Sequence, residues 1–269
     1  MKSLLFISLL LLAAISVHAQ EDSLFKFLRS IKGEYAGFNV DILDNVYLLN
    51  KTGQLKKLNE KGDSLSVFND VKRYGNANFV DVSNPLKVLL YYKNYSTVVM
   101  LDRLLGLRNT INFRNQNIFT VQAISTSYDN NIWLFDEQDY RLKKIDETGR
   151  MLQQTNDWRL LFDSVPSPAR IIDRDQFVYL YDPAKGFYIF DHYGSFKNRL
   201  PFTGWTDVEV SGKKIYGFQN DVLYSYELNS LNLRSYKLSK FFGDFVSIKT
   251  MNGKIYLNKG DRIDIYQVK

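Results

Sequence analysis

One eight-residue segment occurs twice in this chain and limits what the chain can fold into. Leu-Lys-Lys-Ile-Asp-Glu-Thr-Gly at residues 142–149 repeats Leu-Lys-Lys-Leu-Asn-Glu-Lys-Gly at residues 55–62, 87 positions earlier. An asparagine and an apolar-aromatic run precede each copy, at residues 45–49 and 131–135. Two copies this similar and this far apart indicate a repeat protein with a weaker unit between them.

The apolar-aromatic run recurs in six units along the chain. The units begin at Val46, Val88, Ile132, Val178, Ile215 and Ile255, and successive starts are 42, 44, 46, 37 and 40 residues apart. A four-stranded blade of a β-propeller occupies about 40–50 residues. The spacing therefore predicts an all-β fold, namely a single six-bladed β-propeller.

Each unit shows the same order of patterns. A short alternating strand, a turn rich in Asp, Asn, Gly or Ser, the apolar run, a polar loop, a third strand and a variable outer strand follow one another. First strands are predicted at residues 37–42, 79–82, 120–125, 170–172, 207–210 and 245–249, and third strands at 55–59, 98–102, 142–146, 187–191, 223–227 and 263–266. The apolar runs are expected to be buried between blades, and the third strands to alternate as they approach the rim.

The last unit is incomplete, and this predicts how the ring closes. Its third strand ends at Tyr266, three residues before the chain stops. Residues 24–31 are the available source of the missing outer strand, and pairing them there would remove the exposed sheet edges. A short N-terminal helix is the alternative interpretation of this segment.

The third unit carries the most recognisable motif. Asn-Ile-Trp-Leu-Phe-Asp at residues 131–136, followed by Asp-Tyr-Arg-Leu-Lys-Lys-Ile-Asp at 139–146, resembles an NHL-type repeat. The chain is similar to the wider group of six-bladed propellers of NHL, TolB-like and YncE-like type. The resemblance is sharpest in the first and third units, since Lys87 and Lys214 replace the usual Asn or Asp in the second and fifth. It implies the fold and no single activity.

The N-terminus reads as an export signal. Lys2 precedes an unbroken apolar run at residues 4–17, and small residues lie just before Gln20. This pattern predicts a cleaved signal peptide over residues 1–19 and a propeller domain over residues 20–269. An uncleaved membrane anchor is the alternative.

The composition limits which cell compartment and which kinds of binding partner we expect. The chain has no cysteine, which excludes disulfides and an acylated-cysteine lipid anchor, so an apolar core must stabilise the exported domain. The net charge of +6 is dispersed, which does not favour nucleic-acid binding. No later stretch is long and apolar enough to span a membrane. We expect a soluble protein of the periplasm or outer-membrane surface, with an oligomeric state that the sequence leaves open.

Few residues offer catalytic chemistry. His192 is the one histidine that remains after processing, and the pattern places it as an exposed residue in the turn after a third strand. A catalytic triad needs an imidazole held in a cleft, and a zinc site needs several His or Cys ligands. The sequence therefore predicts no metal, no cofactor and no catalytic residue.

Three aspartates allow two interpretations. Asp41, Asp81 and Asp173 each lie at the end of a first strand. Their recurrence favours a structural role, in which the carboxylate accepts hydrogen bonds from the turn backbone. The alternative is a carbohydrate-acting enzyme, or a propeller that binds a small ligand or glycan, with these carboxylates at the axial channel.

Binding is the function that the sequence favours. In this topology the loops after second strands share a face with the linkers between blades, and this face is rich in Tyr, Trp and Arg, the residue types enriched at interfaces. The candidate binding residues are Arg73, Tyr74, Tyr92, Tyr95, Arg114, Trp158, Arg159, Trp205, Phe241 and Phe242. Several of these aromatics could instead be wedges between blades. We predict a non-catalytic interaction module or accessory subunit with a protein partner in a cell-envelope or outer-membrane assembly.

Overall fold

The computed structural model of the protein describes residues 24–268. Six four-stranded antiparallel sheets form the blades of a β-propeller, which confirms the predicted fold class. The predicted signal peptide lies outside the described residues. No helix between residues 24 and 268 combines the length and apolar character needed to cross a bilayer.

The blades follow one another along the chain. Blade 1 contains β2 (Gly37–Val40), β3 (Val46–Leu49), β4 (Leu55–Leu58) and β5 (Ser64–Phe68). Blade 2 contains β6 (Phe79–Asn84), β7 (Lys87–Tyr92), β8 (Thr97–Asp102) and β9 (Leu107–Asn112). Blade 3 contains β10 (Val121–Thr126), β11 (Ile132–Asp136), β12 (Arg141–Ile145) and β13 (Met151–Gln154). Blade 4 contains β14 (Arg170–Arg174), β15 (Phe177–Asp182), β16 (Gly186–Asp191) and β17 (Phe196–Leu200). Blade 5 contains β18 (Thr206–Ser211), β19 (Lys214–Gln219), β20 (Val222–Glu227) and β21 (Asn232–Lys237).

Blade 6 joins the two ends of the described chain. It contains β22 (Ser247–Met251), β23 (Lys254–Asn258), β24 (Arg262–Val268) and, as its outer strand, β1 (Phe25–Lys32). Strand β1 pairs antiparallel with β24 from Phe25 opposite Val268 to Lys32 opposite Arg262. The predicted closure is therefore confirmed, and the alternative of a helix in this segment is wrong.

Short connections complete the ring. Helix α1 (Val71–Tyr74) lies between blades 1 and 2, and 3₁₀ turns occupy Lys93–Tyr95, Phe113–Gln116, Trp158–Leu160 and Leu238–Lys240. Between β22 and β23, Asn252 and Gly253 both have positive φ, at 49° and 70°. Asn and Gly tolerate this conformation, and two such residues in succession match the twist of a tight hairpin. The polar turn predicted after the first strand of each unit is thus built here by residues suited to it.

The core lies between the blades. Every residue of β7 and β11 is buried, as expected for strands covered on both faces. The third strands depart from the predicted alternation, because β12 buries both Lys143 and Lys144. Ion pairs with Asp136 and Asp129 compensate these two ammonium groups.

The ring has two faces, which we name by their connections. The linker face carries the connections between blades and the loops joining second to third strands. The turn face carries the hairpins joining first to second and third to fourth strands. Antiparallel order within each blade fixes this division.

Candidate functional site

Five of the ten predicted binding residues come together at the linker face of blade 2. We call this group the tyrosine patch; it consists of Arg73, Tyr74, Tyr92, Tyr95 and Arg114. Helix α1 contributes the first two, the β7–β8 loop region the next two, and the connection after β9 the last. The patch forms because the linker entering blade 2 packs beside the β7–β8 loop.

The Tyr74 ring contacts both of the other rings in the tyrosine patch. Tyr74 lies 5.0 Å from Tyr92 and 5.9 Å from Tyr95 between ring centroids, the second pair meeting edge to face. Tyr95 is 50% exposed, whereas the other two rings are buried. Burial, then the nearby Asp70 and Tyr74, raises the pKa of Tyr92 to about 12, so its hydroxyl stays neutral. These tyrosines also line a cleft of about 480 Å³, together with Asn76, Asn78 and Asn94.

Two arginines flank the rings, and neither has an acidic partner in the part of the chain that the structure describes. The Arg73 guanidinium lies 4.9 Å from the Tyr74 ring centroid, in a cation–π contact. The Arg114 Nε donates to the Ser96 hydroxyl at 3.3 Å, next to Tyr95. Both arginines are exposed, and neither forms an ion pair within residues 24–268. The patch thus presents an aromatic surface with unpaired positive charge.

The other five predicted residues are dispersed around the ring. Trp158 and Trp205 are buried between blades, and Phe242 is buried beside β1, so these three side chains are wedges. Arg159 is exposed, but it pairs with Asp157, whose pKa the hydrogen bonds and charge of this arginine lower to about 2. Phe241 is 43% exposed and packs edge-on against Phe25.

The structural role predicted for Asp41 is confirmed. Its carboxylate accepts hydrogen bonds from the backbone N–H groups of Leu43 and Asn45 at 2.8 and 3.0 Å, and from the Tyr47 hydroxyl at 2.9 Å. Asp81 likewise accepts from the backbone N–H of Ser83, and it also accepts from that of Thr126 in the next blade. Both carboxylates therefore hold backbone in place.

The axial channel is nearly filled by side chains. Asp41 and Asp81 lie beside an axial cavity of about 30 Å³, which Arg170, Glu209 and Lys249 also line. This volume holds one or two water molecules. A sugar ring does not fit there, so the axial channel gives no support to a carbohydrate site.

Asp173 also accepts from a backbone N–H, that of Tyr128 at 3.1 Å, but it differs from the other two aspartates because it holds an imidazole. His192 Nε2 lies 2.8 Å from Asp173 Oδ1, and the other carboxylate oxygen accepts from Trp133 Nε1 at 2.9 Å. The His192 ring stacks on Tyr128, with centroids 4.0 Å apart and planes 6° from parallel. His192 does lie in the predicted turn, but its side chain is only 16% exposed, so the prediction of an exposed histidine is wrong.

These residues line a second cavity, on the turn face. Its volume is about 260 Å³, and Tyr128, Asp173, His192, Asn84, Arg174 and Gln176 line it. Sequence reasoning missed Tyr128 entirely. The position of His192 in its unit could have indicated this contact. His192 aligns with Glu60 and Glu147, and the side chains of both glutamates pair with lysines of the preceding blade. The His192 side chain extends in the same way to Tyr128 of the preceding blade.

The ion pair between Lys144 and Asp129, on the turn face of blade 3, makes a pH-dependent contribution to stability. Burial opposes ionisation of Asp129, but hydrogen bonds from Lys144, Ser127 and Asn131 and the charge of Lys144 outweigh it and lower its pKa to about 2. The folded-state pKa lies below the unfolded value of about 3.9, so the ionised carboxylate stabilises the fold above pH 4, and this contribution is lost as pH falls towards 2.

We therefore expect Asp129→Asn to lower the free energy of unfolding at pH 7 by about 1 kcal/mol, after allowing for the partial exposure of the pair. Near pH 2 the variant and the wild type should be equally stable. Urea denaturation at both pH values measures the difference. Asp163→Asn, at an exposed aspartate that forms no ion pair with any described residue, serves as control. An effect of Asp129→Asn that is the same at pH 7 and pH 2 would contradict the assignment.

Similar folds occur among solved structures. A streptogramin B lyase has a TM-score of 0.60 at 13% identity, covering 86% of this chain and 78% of the lyase. A catalytically inactive virginiamycin B lyase from Staphylococcus aureus, with quinupristin, has a TM-score of 0.59 at 13% identity, covering 91% and 100%. The Pan2 WD40 domain of Neurospora crassa has a TM-score of 0.62 at 9% identity, covering 91% and 95%. No protein-family model and no curated protein sequence matches the chain. The similarities establish the propeller fold and leave the activity open.

Proposed function

We propose that this protein is exported to the periplasm or the outer-membrane surface and acts there as a non-catalytic interaction module of a cell-envelope assembly. The tyrosine patch is its docking surface. The partner presents carboxylates to Arg73 and Arg114 and an aromatic or aliphatic side chain to Tyr95.

One observation carries this proposal: two guanidinium groups that form no ion pair within residues 24–268 flank a tyrosine cluster at an open cleft. Tyr and Arg are the residue types that dominate binding energy at protein interfaces. The Tyr74 ring packs on buried Tyr92 and also contacts Tyr95, and this contact reduces the entropy that ordering Tyr95 on binding would cost. The propeller fold is compatible with such a role, since it presents loops on a rigid ring.

The test is isolation of the tagged protein from envelope extracts of its host. The double variant Arg73→Ala/Arg114→Ala should recover the partner at least tenfold less well than wild type. The control Arg150→Ala/Arg159→Ala removes the same charge from two arginines that are ion-paired with aspartates, and it should recover the partner normally. Isolation of the wild-type protein alone in every preparation, or equal recovery by the first double variant, would contradict the proposal.

A second candidate function is binding or conversion of a small ligand or glycan at the turn face. The His192–Asp173 pair beside the 260 Å³ cavity favours it, because a carboxylate that orients an imidazole is a common arrangement for proton transfer. In this candidate site the carboxylate is that of Asp173, and the cavity lies on the turn face and not in the axial channel.

Asparagine substitutions distinguish a chemical role from a structural one. If the site turns over a glycan, His192→Gln should abolish activity with little change in melting temperature. Asp173→Asn should abolish activity and also lower the melting temperature, because its buried carboxylate accepts from Trp133 and from the backbone N–H of Tyr128. Asp41→Asn and Asp81→Asn, at carboxylates that bind backbone, should lower the melting temperature and serve as controls. A fall in melting temperature alone for all four, with no thermal shift from envelope glycans, would rule out this candidate.

A further inference from the structure

Three blades begin their second strand with lysine, and two of these lysines meet acceptors in the next blade. Lys254 pairs with Asp44 at 2.8 Å and with Glu60 at 2.9 Å. Lys87 pairs with Glu147 and also donates to the backbone oxygen of Asn130. Each lysine thus joins two turns of the following blade.

Lys214 occupies the same position in blade 5, but the aligned residues of blade 6 offer it no side-chain acceptor. Strand register aligns Gly253 of blade 6 with Asp44 and Asn130, and it aligns Val268 with Glu60 and Glu147. Neither Gly253 nor Val268 has a side-chain acceptor. The Gly253 carbonyl already accepts from the backbone N–H of Val268 at 2.8 Å.

No other acid replaces these acceptors within residues 24–268. Glu227 lies opposite Lys214 in the strand pairing, but it accepts a hydrogen bond from Ser230 and forms no ion pair with the lysine. Lys214 is only half-exposed, and its ammonium group makes no hydrogen bond or ion pair with any described residue. A partly buried ammonium without a counter-charge is unfavourable, so the position attracts an anion.

A cleft adjoins this lysine because blade 5 also lacks a large side chain. Ser225 lies opposite Tyr216, at the position that Lys57, Met100, Lys144, Ile189 and Ile265 occupy in the other blades. The space between blades 5 and 6 is a cleft of about 230 Å³, lined mainly by apolar atoms of Phe25, Leu223, Ile255 and Val268 and by Tyr216 and Tyr236. Lys214 lines the same cleft.

We propose that this cleft binds a small amphipathic carboxylate, with the carboxylate on the Lys214 ammonium and an aliphatic or aromatic body between blades 5 and 6. The ligand carboxylate takes the position that Glu60 and Glu147 supply in blades 1 and 3. The buried hydroxyl of Thr250, which has no hydrogen-bond partner between residues 24 and 268, lines the cleft as well.

Isothermal titration with octanoate tests the proposal. Octanoate should bind the wild-type protein and raise its melting temperature, whereas octan-1-ol and octylamine should bind at least tenfold more weakly. Lys214→Met should lose octanoate binding at least tenfold, and the control Lys87→Met, at the equivalent lysine of blade 2, should retain it. Val268→Glu restores the ion pair seen in blades 1 and 3, so it should raise the melting temperature and abolish octanoate binding.

Three results would overturn the proposal. The first is equal binding of octanoate, octan-1-ol and octylamine. The second is octanoate binding that Lys214→Met leaves unchanged. The third is octanoate binding that appears only in Glu21→Gln/Asp22→Asn. That result would show that these acidic residues, which lie outside the described part of the chain, already supply the carboxylate.

Discussion

Replacing Trp158 by alanine should lower the free energy of unfolding by about 3–5 kcal/mol, a large part of the roughly 5–15 kcal/mol typical of a folded protein. The side chain is fully buried between blades 3 and 4. It stacks on Phe190 with centroids 5.1 Å apart and contacts Phe135 at 4.7 Å. Its Nε1 donates to the Thr155 hydroxyl at 3.0 Å, so the substitution leaves both a cavity and a buried hydroxyl that loses a donor.

Urea denaturation measures this loss, and Leu160→Ala is the matched control. Leu160 belongs to the same 3₁₀ turn but is 83% exposed, so its truncation should change stability by no more than about 0.5 kcal/mol. If Trp158→Ala lowers the free energy of unfolding by less than about 1 kcal/mol, the indole is not packed between blades. The prediction of Trp158 as an exposed binding residue would then be favoured again.

Replacing Lys143 by methionine should cost about 3–5 kcal/mol, because it leaves a buried carboxylate without its counter-charge. The Lys143 side chain is 4% exposed and that of Asp136 is 1% exposed, and their charged atoms lie 2.7 Å apart. Lys143 also contacts Asp139, which is half-exposed.

The double variant Lys143→Met/Asp136→Leu should recover most of this loss, since it removes both charges and keeps apolar volume. We expect a coupling free energy of about 2–3 kcal/mol in the double-mutant cycle. Blade 1 provides a natural comparison, because Asn50 and Lys56 occupy the equivalent positions and Lys56 forms no ion pair within the described chain. Additive effects of the two single substitutions would show that the charges do not interact.

The sequence predicted the architecture well because repeats are local patterns. The apolar runs, the hairpin turns and the third strands lie within one or two residues of their predicted places. The closure followed from counting strands, since a third strand ending at Tyr266 left a blade incomplete. The buried lysines of β12 were not predicted, because an ammonium and its buried partner cannot be distinguished from an exposed lysine by alternation alone.

The candidate sites were harder to predict because a tyrosine can either pack in the core or lie exposed at a binding surface. Tyr92 and Tyr95 lie in one loop region, yet Tyr92 is 3% exposed and Tyr95 is 50% exposed. Tyr92 is the last residue of β7 and belongs to a buried core cluster, whereas Tyr95 lies in the 3₁₀ turn that follows. His192 is placed by contacts to Tyr128 and Asp173, which come from two other elements, so its surroundings depend on the register between blades 3 and 4.

Strand β1 closes the ring by pairing with β24, and the two faces and the sites on them depend on this closure. A pair of introduced cysteines tests the closure directly. The chain has no cysteine, and Lys26 lies opposite Gln267 in the β1–β24 pairing. Opposed residues in antiparallel strands have Cα atoms about 4.5–5.5 Å apart, within the range of a disulfide.

Mild oxidation of Lys26→Cys/Gln267→Cys should form an intramolecular disulfide, seen as protection of both thiols from iodoacetamide. Lys26→Cys/Gln153→Cys, whose second site lies in the outer strand of blade 3, should keep two free thiols. Free thiols in the first variant, or equal crosslinking in both, would contradict a ring that its own first strand completes.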